Sequence, residues 1–186
     1  MISQLRELLN THELDGILVN STNEFLVEYN SLAENSRYKL TGFSGSTGDA
    51  VVTRDNIYLF VDGRYHIQAD SEVDKNIITV EKLKTGETFQ KRLNTILPIK
   101  SRLGVFAAKN SISRVEKLSE DYKITLLDKD PFDSEEITDS SNQEKISVDL
   151  CGMSTEEKLK KQSDFVTEYS NNADGVALFI KRYIID

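Results

Sequence analysis

The sequence predicts an α/β fold, in which a mixed β-sheet is flanked by helices and followed by the start of a second, similar domain. Short runs of β-branched and aromatic residues alternate with helical patterns along the chain, which is typical of layered α/β proteins. A helix followed by an x-Asp-Gly-apolar strand also occurs twice, with the strands at residues 14–19 and 173–180. The repeated pattern indicates a second related domain of which the chain contains the beginning.

The first elements follow from the spacing of apolar residues. Helical spacing predicts a first helix ended by His12, and the apolar run at 14–20 predicts a buried strand. A short helix is expected at 23–29, followed by a polar connection at 30–39. Two β-like runs within 49–62 meet at an Asp-Asn pair, which predicts an antiparallel hairpin at the centre of the sheet.

Helix and strand then alternate to the end of the first domain. Pro98 ends one helix, because proline disfavours helical conformation in the residue before it, and Ser111 is a good N-cap for another. The expected helices are 64–72, 88–97 and 111–120, and the expected strands are 77–83, 102–107 and 123–127.

A change of composition divides the chain. From residue 128 the sequence becomes polar and acidic, with little apolar surface to bury. We therefore expect a first domain at 1–130, a connector at 131–153 and a truncated second domain at 154–186. Because a lone helix and strand cannot bury their own apolar faces, the second domain is expected to be completed by further chain.

The second domain opens with a helix start signal. Ser154 and Glu157 have the spacing of a capping box, which predicts a helix over 155–169. The apolar run at 173–180 then predicts a strand, in the same order of elements as at the start of the chain.

Composition and charge exclude several classes of partner. The chain has 186 residues, with 23 Lys and Arg against 31 Asp and Glu, so its net charge of -8 disfavours nucleic acid and anionic membranes. No apolar run approaches the ~20 residues of a membrane span, and the amino terminus lacks the blocks of a signal peptide. With the single thiol of Cys151, these features predict a cytoplasmic protein.

Little in the chain points to catalysis. It has two histidines and one cysteine, and it contains none of the common zinc-ligand or nucleophile motifs, so we expect no catalytic residue and no metal site in this chain. The glycine-rich loop at 42–48 precedes a strand and lacks the Gly-Lys-Ser/Thr ending of phosphate loops. We interpret Gly42, Gly45 and Gly48 as structural, with phosphate binding as the alternative.

A second cluster, Asp-Gly-Arg-Tyr-His at 62–66, lies where a strand ends and a helix begins. Strand ends are where α/β folds place ligand contacts, so Arg64 and Tyr65 can hold a carboxylate or a peptide terminus. In the structural alternative, Asp62 caps the helix and Arg64 pairs with a nearby acid, while His66 is a half-buried helix residue.

Two motifs in this order resemble one known family. They are Leu-Thr-Gly-Phe-Ser-Gly-Ser-x-Gly at 40–48 and Phe-x-Asp-Gly-Arg-Tyr-x-x-Gln-Ala at 60–69, with Glu-Tyr at 28–29 before them. The pattern is similar to the amino-terminal domain of Xaa-Pro aminopeptidases (aminopeptidase P) of the creatinase/prolidase superfamily. The resemblance is looser up to residue 130 and resumes at 152–159. The last ten residues lack the family's Asp-x-Ile-x-Trp stretch, so their register is open.

The resemblance implies a ribonuclease H-like fold and a non-catalytic fragment of a larger metallopeptidase. In such enzymes a C-terminal catalytic domain, absent here, holds two divalent metal ions, usually manganese, and removes an N-terminal residue preceding proline. The amino-terminal domain supports dimerisation and limits substrate access, and the motif match places Arg64, Tyr65 and His66 at that entrance. The implied partners are the catalytic domain, a second copy in a homodimer and a peptide with proline at its second position. The alternatives are a prolidase-type Xaa-Pro dipeptidase fragment and a non-enzymatic peptide-binding module.

Overall fold

The computed structural model describes residues 2–134 and 147–170. They fall into two compact units, Met1–Thr138 and Asp139–Asp186, and each unit is described here by itself. Among the described residues, no helix has the length and apolarity needed to cross a lipid bilayer.

The first unit is built on a six-stranded mixed sheet with the strand order β4-β3-β2-β1-β5-β6. β2 runs antiparallel to both of its neighbours, and the other neighbouring strands are parallel. The predicted mixed α/β fold is thus confirmed, and the hairpin of β2 and β3 is present. The strands are β1 (Gly16–Val19), β2 (Asp49–Val52), β3 (Ile57–Val61), β4 (Ile78–Lys82), β5 (Arg102–Phe106) and β6 (Lys123–Leu127).

Five helices of the first unit pack against this sheet, and two short 3-10 turns, Ala107–Lys109 and Pro131–Ser134, accompany them. The Ser111 side chain accepts a hydrogen bond from the backbone N–H of Arg114, as expected for the predicted N-cap. Thr88 caps its helix in the same way. The helices are α1 (Ile2–Thr11), α2 (Ser36–Thr41), α3 (His66–Glu72), α4 (Phe89–Leu93) and α5 (Ile112–Ser119).

The core lies on both faces of the sheet. On one face, apolar residues of α1 and α3 pack on the strands together with Phe43, which is 0% exposed. On the other face, Leu93 of α4 and Leu118 of α5 complete a second cluster. Full burial of such a side chain contributes about 1.5–3 kcal/mol. The sheet therefore presents only its edges and strand ends to solvent and to ligands.

The predicted helix at 23–29 is wrong. The Asn23 carboxamide accepts hydrogen bonds from the backbone N–H groups of Phe25 and Val27, and this local turn competes with helix formation. A helix occurs instead as α2, partly within the expected polar connection at 30–39. Its N-cap is Asn35, whose side chain accepts from the N–H of Tyr38.

The predicted helix at 88–97 is shorter than expected, since α4 ends at Leu93 and turns carry the chain on toward Pro98. Phe132, at the start of the expected connector, is 1% exposed in the first core cluster.

The second unit contains two helices, α6 (Val148–Cys151) and α7 (Thr155–Ser170). The capping box is present, because the Ser154 N–H donates to Glu157 Oε2 (2.9 Å) and the Glu157 N–H donates to Ser154 Oγ (3.2 Å). α7 agrees with the helix predicted at 155–169. The strand predicted at 173–180 lies outside the described residues.

Candidate functional site

The segments that the sequence singles out lie together at one end of the sheet, where the parallel strands have their carboxyl ends. β1, β3, β4, β5 and β6 share one direction, so their carboxyl ends lie at the same edge, and the antiparallel β2 begins there. The 42–48 loop leads into β2 and the 62–66 cluster follows β3, and the register pairs Asp49 with Phe60 between them. The hairpin thus brings both motifs to the edge where α/β proteins place ligands.

The two motifs touch through side chains. The hydroxyls of Tyr65 and Ser46 are 2.8 Å apart, and Arg64 Nη2 donates to Thr47 Oγ1 at 3.1 Å. The rings of Phe43 and Tyr65 meet edge to face, with centroids 5.7 Å apart. Because Phe43 is buried, this contact fixes the tyrosine ring and presents its hydroxyl beside the loop.

Arg37 holds the loop from inside the protein. Its side chain is 0% exposed, and Nη1 donates to the carbonyl of Thr47 at 2.8 Å while Nη2 donates to the carbonyl of Gly45. The guanidinium also lies over the Phe43 ring, 4.7 Å from its centroid. Burial lowers the pKa of Arg37 from its usual value to about 10, so the group stays charged near neutral pH. The Arg37 cation therefore binds two backbone carbonyls of the loop, those of Gly45 and Thr47.

The loop backbone needs its glycines. Gly42 and Gly48 have φ angles of 73° and 121°, in the left-handed region that favours glycine. A Cβ at Gly48 would lie 2.8 Å from the carbonyl oxygen of Phe60, and a Cβ at Gly45 would lie 2.3 Å from the Phe43 ring. The positive φ angles of Gly42 and Gly48 and the close approaches at Gly45 and Gly48 support the structural interpretation of these glycines.

A carboxylate binds one backbone amide of the loop, that of Ser44. Glu72 Oε2 accepts from the Ser44 N–H at 2.8 Å, and Glu72 Oε1 accepts from the Ser44 hydroxyl and from Gln68 Nε2. Burial would raise the pKa of Glu72, but these hydrogen bonds and the charge of Arg37 together lower it. An ionised carboxylate at this position repels a phosphate group, which argues against the phosphate-loop alternative.

Arg64 is both paired and exposed. Its Nε and Nη2 donate to the two oxygens of Asp62 at 3.0 and 2.8 Å, yet its side chain is 65% exposed. The pairing with a nearby acid expected in the structural alternative is therefore present, and the hydrogen bond from Arg64 lowers the pKa of Asp62. Asp62 accepts from the N–H of Arg64 rather than capping α3, whose N-cap position is Tyr65.

His66 lies apart from the loop surface. It is a partly buried residue at the start of α3, and it lines a groove with Asp62 and the segment 83–87 that follows β4. Its buried Nε2 has no hydrogen-bond partner within the described residues. The geometry thus joins Arg64 and Tyr65 to the 42–48 loop and assigns His66 to a neighbouring groove.

Sequence patterns missed three residues of this site: Arg37, Glu28 and Glu72. Glu28 Oε1 accepts from the Ser46 hydroxyl at 3.4 Å. The ring of its neighbour Tyr29 is 79% exposed, on a turn held by Asn23. The Glu-Tyr pair at 28–29 entered only through the family resemblance. Helix and strand patterns depend on the spacing of apolar residues, so they do not identify a buried arginine or an exposed glutamate as part of a site.

The described residues offer no group suited to a metal ion. Between residues 2 and 134, and again between 147 and 170, no three His, Cys, Asp or Glu side chains converge as metal ligands would. The buried charge of Lys109 is instead paired with Asp130, at 2.8 Å, and its ammonium also donates to Ser36 Oγ. This pair ties the chain after β6 to α2 and β5, so its role is structural.

Known proteins resemble this chain in sequence and in fold. A family model described as the Creatinase/Prolidase N-terminal domain matches residues 1–138. A probable Xaa-Pro aminopeptidase P from Laccaria bicolor is 34% identical over 119 residues, which are 63% of this chain and 18% of that protein. Xaa-Pro aminopeptidase 1 from Dictyostelium discoideum is 32% identical over 105 residues, 56% of this chain and 17% of that protein. The chain thus spans less than a fifth of the length of these relatives.

Two solved structures show the likeness in fold. X-prolyl aminopeptidase from Caenorhabditis elegans, a cytosolic enzyme with a di-nuclear active site, has a TM-score of 0.69 at 22% identity, covering 91% of this chain and 31% of that one. The N-terminal domain of the cytoplasmic peptidase PepQ from Mycobacterium tuberculosis H37Rv has a TM-score of 0.50 at 21% identity, covering 68% and 91%. The resemblance carried by the two motifs is therefore confirmed, and the chain belongs to the Creatinase/Prolidase N-terminal domain family.

Proposed function

We propose that this chain is the non-catalytic N-terminal part of a metal-dependent Xaa-Pro aminopeptidase, in which it supports dimerisation and limits access of peptides to the catalytic domain. The observation that carries the proposal is the surface made by Arg64, Tyr65 and the 42–48 loop. It is exposed, it is held rigidly by the buried Arg37, and it lies at the carboxyl edge of the sheet. A rigid polar surface of this kind is suited to lining the entrance to an active site.

The chemistry of this surface fits a peptide. The exposed guanidinium of Arg64 can donate to a carboxylate or a peptide carbonyl, while its pair with Asp62 keeps it in one orientation. Tyr65 and Ser46 add hydroxyls that both donate and accept. Glu28 beside them offers an acceptor for an amino terminus. His66, in the adjacent groove, completes the proposed entrance.

The relatives favour an aminopeptidase over the alternatives. The probable aminopeptidase P from Laccaria bicolor and Xaa-Pro aminopeptidase 1 from Dictyostelium discoideum are 34% and 32% identical to this chain over the matched residues. The likeness to the Caenorhabditis elegans enzyme also covers 91% of the chain and so extends beyond the first unit. We therefore rank a prolidase-type dipeptidase second and a non-enzymatic peptide-binding module third.

Catalysis belongs to the rest of the proposed parent. The parent would carry two divalent metal ions, with manganese as the expected metal, in a C-terminal domain, and would act in the cytoplasm on peptides with proline at the second position. In this proposal the chain supplies positioning and exclusion, and the C-terminal domain of the parent supplies the activated water of a metallohydrolase.

The proposal is tested by comparing two proteins in one assay. The product of the complete reading frame and the 186-residue chain are each incubated with manganese and an Xaa-Pro-Xaa peptide. We expect the longer product to release the first residue and the chain alone to be inactive. Release by the purified chain, or hydrolysis only of dipeptides by the longer product, would contradict the proposal. A longer product that binds the peptide without cleaving it would favour the binding module.

A further inference from the structure

The turn after β3 contains an Asp-Gly pair whose glycine is not required by the fold. Gly63 is exposed, its φ angle lies outside the left-handed region, and no atom lies within 4 Å of an added Cβ. With no Cβ of its own and no neighbour on that side, Gly63 leaves its backbone nitrogen accessible. An accessible nitrogen directly after an aspartate permits a reaction of the chain with itself.

The reaction converts aspartate to isoaspartate without an enzyme or an oxidant. The backbone nitrogen of the next residue attacks the side-chain Cγ, and a C–N bond forms. The carboxyl O–H leaves with the amide proton as water, and the product is a cyclic succinimide. Water then adds across one of the two ring C–N bonds, which restores aspartate or gives isoaspartate of the same mass, with its main chain running through Cβ and Cγ.

In the folded chain Arg64 holds the carboxylate of Asp62. Asp62 Oδ1 accepts from the N–H and from Nε of Arg64, both at 3.0 Å, and Oδ2 accepts from Nη2 at 2.8 Å. The Tyr65 N–H donates to the Asp62 carbonyl at 3.0 Å and closes the turn around Gly63. These bonds favour the ionised carboxylate, whereas ring closure needs the protonated carboxyl, whose O–H becomes the leaving water.

The other Asp-Gly pair of the described residues, Asp15–Gly16, is held by the sheet. The Asp15 N–H donates to the Arg102 carbonyl, and Asp15 Oδ2 accepts from the Arg102 N–H, both at 2.8 Å. Gly16 is buried in β1, where an added Cβ would lie 3.4 Å from Leu97 and Val51. Because ring closure changes the main-chain conformation, this pair reacts only when β1 leaves the sheet.

We propose that Asp62 is a site of spontaneous modification, at which the carboxyl closes on the Gly63 nitrogen and reopens to isoaspartate, and that the pair with Arg64 slows this conversion. Isoaspartate lengthens the main chain within the turn that places Arg64 and Tyr65. Conversion therefore breaks the contacts of both side chains with the 42–48 loop. The reaction depends on the turn alone and not on the activity of the proposed parent.

Ageing of the 186-residue chain at neutral pH, followed by peptide mapping, tests the proposal. Chromatography separates the isoaspartyl peptide from the aspartyl peptide of equal mass, and electron-transfer fragmentation locates the modified residue. Isoaspartate at Asp62 should accumulate more slowly in the folded parent chain than in the same chain unfolded in urea. Arg64→Ala should accelerate it several-fold in the folded chain. Arg54→Ala, which removes another exposed arginine, should leave the rate unchanged.

Two comparisons separate the Arg64 pair from general unfolding. Asp15–Gly16 should stay unmodified in folded Arg64→Ala, because β1 remains in the sheet. Gly63→Val, added to Arg64→Ala, should suppress the reaction at Asp62, since a β-branched side chain shields the nitrogen of residue 63.

Each part of the proposal has a result that would overturn it. Equal rates in Arg64→Ala and Arg54→Ala, or a folded parent chain that reacts as fast as the unfolded one, would show that the Arg64 pair does not slow the conversion. Isoaspartate that rises equally at Asp15 and Asp62 in Arg64→Ala would assign the effect to unfolding. A chain that forms no isoaspartate at Asp62 even in urea would overturn the site itself.

Discussion

Replacing Arg37 with methionine tests whether a buried cation builds the candidate site. Arg37 donates to the carbonyls of Thr47 and Gly45, and its side chain is 0% exposed. Methionine is unbranched and polarisable, so it keeps contact with Phe43 and fills most of the vacated space. The substitution therefore removes the two hydrogen bonds while disturbing the packing little.

The expected cost follows from the two carbonyls. Each one left unpaired in a buried site costs about 1–3 kcal/mol, or about 2–6 kcal/mol for both. Removing the buried charge offsets part of this cost, because burial disfavours the charged guanidinium and lowers its pKa. We expect a net loss of about 2–4 kcal/mol in the free energy of unfolding, which for a chain of this size lowers the Tm by about 4–16 °C.

Urea unfolding followed by far-UV circular dichroism measures this loss, and thermal unfolding gives the Tm. Arg54→Met is the matched control, since Arg54 is exposed on the turn between β2 and β3, and it should change stability little. If Arg37→Met and Arg54→Met unfold at the same urea concentration, the buried cation does not hold the loop and the site is organised in another way.

The remaining predictions concern the loop and its carboxylate. Gly48→Val should destabilise the first unit by about 2–5 kcal/mol in urea unfolding, because it adds positive-φ strain to a clash with the Phe60 carbonyl. Gly63→Val, which has nothing within 4 Å of the new Cβ, should be tolerated, and equal losses in both would reject the strain argument. Glu72→Gln should lower stability near neutral pH but not in acid. The folded pKa of Glu72 lies below its ordinary 4.5, so its stabilisation is present above 4.5 and lost as the pH falls through the folded value. A stability difference that is constant with pH would contradict this assignment.

The regular elements of the fold could be predicted because their signals are local. The hairpin of β2 and β3 and the helix capped by Ser111 each depend on residues close together in sequence. Helix α2 escaped prediction because its buried face contains Ser36 and Arg37, and a search for apolar spacing interprets polar residues as solvent-exposed. The expected helix at 23–29 failed for the opposite reason, since its apolar residues are held in turns by the side chain of Asn23.

The sequence predicted which residues belong to the candidate site better than it predicted how those residues contact one another. Two motifs marked Arg64 and Tyr65, and the pairing of Arg64 with a nearby acid was among the alternatives. The contact of Tyr65 with Ser46 depends on the register of two strands, which residue types alone do not specify. The position of His66 in a groove with the segment 83–87 depends on how β3 and β4 are placed in the sheet, which residue types alone do not specify.

The role of Arg64 in the proposed parent enzyme is the most direct test of the account. Arg64→Ala is compared with Arg54→Ala in the product of the complete reading frame, with kinetics on an Xaa-Pro-Xaa peptide and Tm measured on the same preparations. Because the pair of Arg64 with Asp62 is at the surface, its loss should leave the Tm almost unchanged. If Arg64 serves the substrate entrance, Arg64→Ala lowers kcat/KM about tenfold or more and Arg54→Ala does not. Normal kinetics with a lowered Tm in Arg64→Ala would show that Arg64 serves the fold alone and would contradict the account.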